Sequence, residues 1–294
     1  MVALFGDRFS VKRVQTEETD IHLVHGGDGP PLLLLHGYPQ THVMWHQVAP
    51  VLAQRFHVIC PDLRGYGDSG KPTSHPDHSP YSKQAMAADM AQVMSALGYE
   101  SFFVAGHDRG ARVVHRLALD YSDRVLKACV MDIVPTYHMY QHTDQAFAQG
   151  YYHWFFLTQP DGLPERLIGG DPEYYLREKL NRWSAPGAVF DEAAVREYVR
   201  CFNDPATIHA TCEDYRAGAS IDLVHDEGSL GTKVTCPLLV LWGSKGFVNR
   251  TYNVLSVWRE YAFDVNGGTL ACGHFLAEEC EGDVVRELTT FFGD

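Results

Sequence analysis

The chain has 294 residues, of which 45% are hydrophobic and 21% are charged; this is typical of a globular protein and excludes a disordered or collagen-like chain. Its 24 basic and 37 acidic side chains give a net charge of −13, which argues against a general surface for nucleic acid or anionic membranes. An anionic substrate would therefore need a few local cations that reverse the potential inside one pocket.

The cysteine count and the apolar runs indicate the compartment. Seven cysteines without a CxxC pair argue against a complete disulfide framework and favour a reducing environment. The longest aliphatic run, residues 32–35, is too short to cross a bilayer, and the first residues do not resemble a signal peptide. We expect a soluble, cytoplasmic protein that binds neither nucleic acid nor membrane.

The apolar pattern predicts an α/β protein with a mostly parallel sheet. Alternating segments at residues 10–15 and 21–24 predict two strands before a turn-rich stretch. Nearly continuous apolar runs, typical of strands buried on both faces, follow at residues 32–35, 58–60, 102–105, 128–131 and 238–242, with a weaker final strand at 267–272. Helices are predicted between them at residues 45–54, 83–97, 111–121 and 253–261.

This alternation of strands and helices breaks once. From about residue 135 to 230 no convincing strand is predicted, whereas residues 191–202 and 205–215 have the pattern of helices rich in aromatic side chains. We therefore expect a helical cap, residues 136–230, inserted into a core formed by residues 1–135 and 231–294. A separate C-terminal domain is the alternative.

The pentapeptide Gly-His-Asp-Arg-Gly at residues 106–110 lies between a predicted strand and a predicted helix. Small residues in this context allow the sharp turn of a nucleophile elbow, which here would present the carboxylate of Asp108. Upstream, another predicted strand ends in His-Gly-Tyr-Pro, where the same architecture places an oxyanion N–H group. We predict an oxyanion hole from the backbone N–H groups of Tyr38 and Arg109. The alternative is an ordinary glycine turn in which Asp108 caps the helix.

A base and an acid are predicted near the same edge of the sheet. His274 follows the weak final strand, as the chain order nucleophile, acid, histidine requires. The loop after residues 238–242 contains no carboxylate, so the acid is assigned by elimination to Asp132, which ends the preceding strand. A buried carboxylate needs a partner such as a histidine N–H. Capping of the first cap helix is the alternative role for Asp132.

An aspartate nucleophile favours attack on saturated carbon. Asp108 is ionised at neutral pH, so it can displace a halide or open an epoxide, and His274 is then free to activate water against the resulting ester. Arg109 and Arg112 lie three residues apart at the start of the elbow helix and could clamp a carboxylate. A short 2-halo acid fits this pair, unless Arg112 instead pairs with Asp120 or a surface acid.

Five segments together resemble the haloacetate dehalogenases, including fluoroacetate dehalogenases, of the α/β-hydrolase superfamily; they are residues 106–112, 132–136, 151–154, 214–217 and 273–275. The resemblance covers essentially the whole chain. It implies Asp108 as nucleophile, Arg109 and Arg112 on the substrate carboxylate, and His274 with Asp132 as the water-activating pair. It also implies a halide pocket formed by His153, Trp154 and Tyr215, and a homodimer. We expect no cofactor and no metal ion.

The chain also departs from the family pattern. Tyr38, Ala111 and Tyr152 stand where the family often has Phe, Gly and Trp, so halide preference and the size of the acid stay open. An epoxide hydrolase, which would use two cap tyrosines among Tyr151, Tyr152 and Tyr215, is the main alternative. A haloalkane dehalogenase would carry Trp where this chain has Arg109. A binding module without turnover is the third alternative, against which His274 and Asp132 argue.

Overall fold

The computed structural model describes residues 2–293, so the predicted outer limits at Met1 and Asp294 lie outside the described residues. These residues form one eight-stranded sheet in the spatial order β1-β2-β4-β3-β5-β6-β7-β8. The strands are β1 (Phe9–Gln15), β2 (Asp20–Gly26), β3 (Pro31–Leu35), β4 (His57–Pro61), β5 (Phe102–His107), β6 (Val125–Met131), β7 (Leu238–Gly243) and β8 (Val265–Leu270). Strand β2 pairs antiparallel with β1 and β4, and all other pairs are parallel. The predicted α/β fold is confirmed.

Helices fill the connections between the strands. The α-helices are α1 (Ala49–Leu52), α2 (Lys83–Ala96), α3 (Arg109–Asp120), α4 (Thr136–Gln141), α5 (Gln145–Gly150), α6 (His153–Phe156), α7 (Leu163–Gly169), α8 (Pro172–Trp183), α9 (Glu192–Phe202), α10 (Pro205–Gly218), α11 (Ile221–Gly228), α12 (Phe247–Thr251), α13 (Val254–Tyr261), α14 (Leu276–Glu279) and α15 (Glu281–Gly293). Short 3₁₀ helices lie at Val2–Phe5, His42–Trp45 and Ser79–Tyr81. Among the described helices, none is long and apolar enough to span a membrane.

The burial of the strands explains why the sequence predicted them well. Every residue of β7 is buried, as are four of the five residues of β3, because helices cover both faces of a parallel sheet. The edge strand β8 has one buried residue among six and contains Gly267 and Gly268, which accounts for its weak pattern.

The helix predicted at residues 45–54 is wrong. The chain instead forms the 3₁₀ helix His42–Trp45 and, after a break, the short helix α1. Pro50 lies in the first turn of α1, where its missing N–H costs nothing, but it could not continue a helix from upstream. The segment is therefore two short turns, of which the first is fully buried and the second is buried on one face.

Eight helices, α4 to α11, lie between β6 and β7, and within the described residues this stretch adds no strand to the sheet. The predicted helices at residues 191–202 and 205–215 are confirmed as α9 and α10. We propose that this stretch forms the cap over the carboxyl edge of the sheet, and the division at residues 136 and 230 stays a prediction.

Candidate active site

Asp108 lies in the sharp turn between β5 and α3. Its φ of +48° is a conformation that non-glycine residues rarely adopt, and it directs the side chain away from the helix. The flanking glycines make the turn possible. A Cβ on Gly106 would lie 2.6 Å from the backbone of Gly110, and one on Gly110 would lie 2.4 Å from the carbonyl oxygen of His36. Asp108 makes no side-chain capping bond to α3, so the capping alternative is wrong.

The carboxylate of Asp108 is buried between a backbone donor and a histidine. The N–H of Tyr38 donates to Oδ1 at 2.9 Å, and Nε2 of His274 lies 3.9 Å from Oδ2. Burial disfavours the charged form, but the positive charges of His274 and of the neighbouring arginines lower the pKa of Asp108 below its usual value. The group is therefore an ionised carboxylate at neutral pH.

His274 and Asp132 form a close pair. Nδ1 of His274 lies 2.6 Å from Oδ2 of Asp132, while Oδ1 accepts the backbone N–H of Gly243 at 3.0 Å. The N-cap of α4 is Pro135, so the alternative role of Asp132 as its cap is wrong. Burial opposes the imidazolium, but the hydrogen bond and charge of Asp132, with the charge of Asp108, raise the pKa of His274 above its usual value.

A carboxylate that the sequence interpretation missed holds the loop that carries His274. Glu279 accepts the backbone N–H groups of Gly273, Phe275 and Ala185, each at 2.8 Å. Three such bonds satisfy groups that would otherwise be orphaned in a partly buried loop. Glu279 therefore fixes the backbone on both sides of His274.

Arg109 and Arg112 begin α3 but differ in how their charges are compensated. Arg109 donates from Nε and Nη2 to the two carboxylate oxygens of Asp214, at 2.9 and 2.6 Å. Arg112 donates to the Val134 carbonyl oxygen and the Thr136 hydroxyl at 3.1 and 3.0 Å. Within residues 2–293 the buried Nε of Arg112 has no hydrogen-bond partner, and no carboxylate lies within ion-pair distance. Arg112 is a buried cation without a counter-ion.

The pKa values of the two arginines reflect this difference. Burial opposes both charges, but Asp214 raises the pKa of Arg109, whereas burial and repulsion by Arg109 lower the pKa of Arg112. Asp120 pairs with Arg116, from Nε to Oδ2 at 2.8 Å. The alternative pairing of Arg112 with Asp120 is therefore wrong.

Asp214 is the centre of a buried network that the sequence did not reveal. Besides Arg109, it accepts the hydroxyl of Tyr66 at 2.6 Å and the ammonium of Lys83, which also lies 3.3 Å from Asp222. Despite complete burial, these cations hold the pKa of Asp214 well below its usual value. The partners lie more than 100 residues away along the chain, so no local pattern marks the network.

His153, Trp154 and Tyr215 lie together in the interior. The ring centroids of His153 and Trp154 are 5.5 and 6.3 Å from that of Tyr215, and the Arg112 guanidinium lies over Trp154 at 4.7 Å. Within the described part of the chain, Nδ1 of His153 and the hydroxyl of Tyr215 are buried without hydrogen-bond partners. These polar atoms can therefore serve a bound ligand.

Tyr152, where the chain departs from the family pattern, is placed differently from His153 and Trp154. Its side chain is exposed, and its hydroxyl accepts a hydrogen bond from Nζ of Lys179 at 2.5 Å. Ala111 and Tyr38 are both fully buried. Tyr152 therefore lies outside the buried group formed by His153, Trp154 and Tyr215.

A cleft of about 480 Å³ connects His274 with the surface. Its lining includes Arg182, Lys245 and Arg250, so an anion would approach through a locally basic opening although the chain as a whole is acidic. Trp183 lines the same cleft, and its carbonyl oxygen accepts the N–H of His274 at 2.9 Å.

A possible metal-ligand group lies elsewhere. Within the described residues, His22, His42 and Asp62 are close enough together to hold an ion. Both oxygens of Asp62, however, already accept backbone N–H groups, from His42 at 2.8 Å and Asp68 at 2.9 Å. The two imidazoles complete this hydrogen bonding, so we assign the cluster to the structure of the turn after β4.

Comparison with known proteins places the chain in a family. A model of the α/β hydrolase fold family matches residues 30–279. The chain is 45% identical to a fluoroacetate dehalogenase from Burkholderia sp., covering 97% of this chain and 94% of the relative. It is 34% identical to a soluble epoxide hydrolase from Corynebacterium sp. (strain C12), over 92% and 93% of the two chains. The crystal structure of a protein from Nostoc sp. PCC 7120 is 58% identical, with a TM-score of 0.96 over 97% and 98% of the chains. The chain therefore belongs to the α/β-hydrolase fold family, as a hydrolase of the group that includes the Burkholderia fluoroacetate dehalogenase.

Proposed function

We propose that this enzyme hydrolyses haloacetates, such as fluoroacetate and chloroacetate, to glycolate and halide. Asp108 displaces the halide and forms an ester, which water activated by His274 then hydrolyses. The observation that carries this proposal is the buried guanidinium of Arg112, whose Nε has no partner and which Asp108 attracts only from beyond ion-pair distance. A buried guanidinium without a counter-ion is costly, and the carboxylate of a short acid would supply the missing charge.

The two arginines would share the carboxylate unequally. Arg112 has its Nε free, and its Nη atoms bond only neutral groups. Arg109 uses Nε and Nη2 for Asp214, which leaves Nη1 for the substrate. Arg112 would therefore supply most of the binding energy, and Arg109, held rigidly by Asp214, would fix the orientation of the acid.

In the first chemical step Oδ2 of Asp108 attacks the carbon that bears the halogen. A carbon–oxygen bond forms as the carbon–halogen bond breaks, and the halide leaves with the bonding electrons. His153, Trp154 and Tyr215 can each point one N–H or O–H donor at the departing anion. The unpartnered atoms of His153 and Tyr215 support this role, because they need no rearrangement before they bind a halide.

In the second step water attacks the carboxyl carbon of Asp108. Nε2 of His274 accepts the proton of the water, and Asp132 stabilises the imidazolium through Nδ1. The negative charge then develops on Oδ1, towards which the Tyr38 N–H already points. Collapse of this intermediate breaks the bond between Cγ and Oδ2 and releases glycolate, whose hydroxyl oxygen comes from Asp108 and takes the proton from His274. The second proton of the water leaves to solvent, which restores the carboxylate of Asp108.

Epoxide hydrolysis is the second candidate, because the Corynebacterium relative is an epoxide hydrolase. An aspartate nucleophile with a histidine base can also open an epoxide. This reaction would need two cap tyrosines as donors to the epoxide oxygen. Tyr152 is engaged by Lys179, so Tyr151 and Tyr215, both buried, are the pair that this reaction would use. A neutral epoxide would leave the charge of Arg112 uncompensated.

Substitution of Arg112 tests the proposal. Halide release from fluoroacetate and chloroacetate is measured with ion-selective electrodes, and diol formation from styrene oxide is measured in parallel. Arg112→Leu should lower kcat/KM for both acids by about 100-fold, the equivalent of two lost charge-assisted hydrogen bonds. Circular dichroism would show that the variant is folded.

Arg116→Leu is the matched control, because Arg116 lies one turn later on α3 and is already paired with Asp120. It should keep activity close to that of the parent. If the parent enzyme converted styrene oxide but released no halide from either acid, the haloacetate proposal would be wrong and the epoxide reaction would replace it.

A further inference from the structure

Two cysteines lie in contact on either side of the loop that carries His274. Sγ of Cys272 and Sγ of Cys280 are 2.9 Å apart, although both are free thiols in this structure. Cys272 follows β8 and is buried, whereas Cys280 ends α14 and is partly exposed. The other five cysteines are buried. This is the one pair of thiols in contact within the described residues.

We propose that Cys272 and Cys280 form a reversible disulfide that closes the His274 loop. The loop between them is short and contains both His274 and Glu279, whose carboxylate binds the backbone of Gly273 and Phe275. A disulfide would therefore add a covalent closure to a loop that Glu279 already holds. Because the sulfur atoms are in contact, the backbone has little to rearrange when the bond forms.

The chemistry requires a small-molecule disulfide as oxidant, such as oxidised glutathione. The thiolate of Cys280, the partly exposed member, attacks one sulfur of the oxidant and releases one reduced thiol. Cys272 then attacks Sγ of Cys280, displaces the second reduced thiol and loses its proton to solvent. Two cysteine thiols are oxidised and one small disulfide is reduced to two thiols. Hydrogen bonding to Cys280 and burial raise the pKa of Cys272, so Cys272 stays protonated and does not attack the oxidant first.

The disulfide should stabilise the fold without stopping catalysis. Both backbones are anchored, because the carbonyl oxygen of Cys272 accepts the N–H of Lys245 at 3.0 Å and that of Cys280 accepts the N–H groups of Asp283 and Val284, each at 3.1 Å. The small closing movement should therefore occur in the two side chains and leave the backbone of His274 in place. Closing a loop of this length should raise the Tm by about 5 °C, from the lost freedom of the unfolded chain.

The test is oxidation of the full-length protein with oxidised glutathione, followed by denaturation and alkylation of free thiols. Five of the seven cysteines should be alkylated, and cleavage after glutamate should leave the peptides of Cys272 and Cys280 joined until a reductant is added. The Tm should rise on oxidation and return on reduction. Cys280→Ser should lose both effects.

Cys236→Ser is the matched control, because Cys236 is the most exposed of the five remaining cysteines with a relative accessibility of 9%; this variant should still form the disulfide. Seven alkylated cysteines after oxidation, or a stable glutathione adduct on Cys280 alone, would overturn the proposal. An unchanged Tm in the cross-linked protein would overturn its stabilising role. These readouts do not depend on the substrate of the enzyme.

Discussion

Asp108, His274 and Asp132 were all predicted from the sequence, because each follows a strand and parallel strands end at one edge of the sheet. The structure brings them together, with His274 between the two carboxylates. Glu279 was missed, since its contacts are with backbone N–H groups that no residue pattern marks. Their catalytic roles stay proposals.

The pKa of His274 leads to a prediction at this scale. The histidine must be neutral to accept a proton from water. In the free enzyme Asp132 and Asp108 raise its pKa above the usual 6.5, whereas in the ester Asp108 carries no charge and Asp132 is the carboxylate that favours the imidazolium. The kcat for chloroacetate should therefore increase with pH as His274 loses its proton, and a profile of kcat against pH would measure the midpoint. Asp132→Asn should move the midpoint to lower pH and lower kcat. A midpoint that Asp132→Asn leaves in place would contradict the assignment.

Folding stability should change with pH in the opposite direction. A pKa that is raised in the folded state contributes stability below the unfolded value of about 6.5, and this stability is lost as the pH rises through the folded value. The enzyme should therefore be most active where His274 no longer contributes to the stability of the fold. The two effects oppose each other because the buried carboxylates stabilise protonated His274, whereas catalysis needs the neutral form.

At the scale of the elements, the network around Asp214 joins four helices. Lys83 begins α2, Arg109 begins α3, Asp214 lies in α10 and Asp222 in α11. Helices α2 and α3 flank the sheet, whereas α10 and α11 belong to the helical stretch between β6 and β7. The network therefore holds these two pairs of helices together. The same contacts orient Arg109 beside Asp108.

Asp214→Asn should test this link. It leaves two buried cations with one anionic partner fewer, so the free energy of unfolding should fall by about 3–5 kcal/mol, measured by urea denaturation. The KM for chloroacetate should also rise, because Arg109 loses its orientation. Asp171→Asn is the control, since Asp171 caps α8 at the surface and asparagine caps equally well. Equal stability of the two variants would show that the network contributes little.

The strands and the longer helices were predicted where their buried residues recur at a regular spacing in the sequence. The five buried runs became strands, and helices α2, α3, α9, α10 and α13 were found within a few residues of their bounds. The short cap helices α4 to α7 were not predicted, because helices of four to seven residues show less than two full turns of periodicity. Whether such short segments form helices depends on how they pack against the rest of the fold. The longer helix α8 was missed as well.

At the scale of the whole molecule, the acidic chain presents a basic opening to its interior. The net charge of −13 would repel an anion, but Arg182, Lys245 and Arg250 line the cleft that reaches His274. Composition predicted the need for local cations and the sequence named Arg109 and Arg112, but only the fold shows the three basic residues at the opening. A homodimer and a cytoplasmic location stay predictions from the sequence.

Two relatives that share this fold differ in their activity. The fluoroacetate dehalogenase and the epoxide hydrolase among the relatives both cover more than nine tenths of the chain. Fold alone therefore does not select a substrate. In our proposal the charge of Arg112 selects the substrate, and Asp108 is the attacking group in either reaction.

The source of the oxygen in the product tests this shared chemistry most directly. With enzyme in excess over chloroacetate in ¹⁸O-labelled water, the first turnover should give glycolate with unlabelled hydroxyl oxygen and place ¹⁸O in the carboxylate of Asp108, as mass spectrometry of its peptide would show. His274→Asn should stop at the ester, visible as the added mass of one carboxymethyl group. Labelled glycolate in the first turnover, with Asp108 unlabelled and no ester in the variant, would contradict the account, because water would then attack the substrate directly.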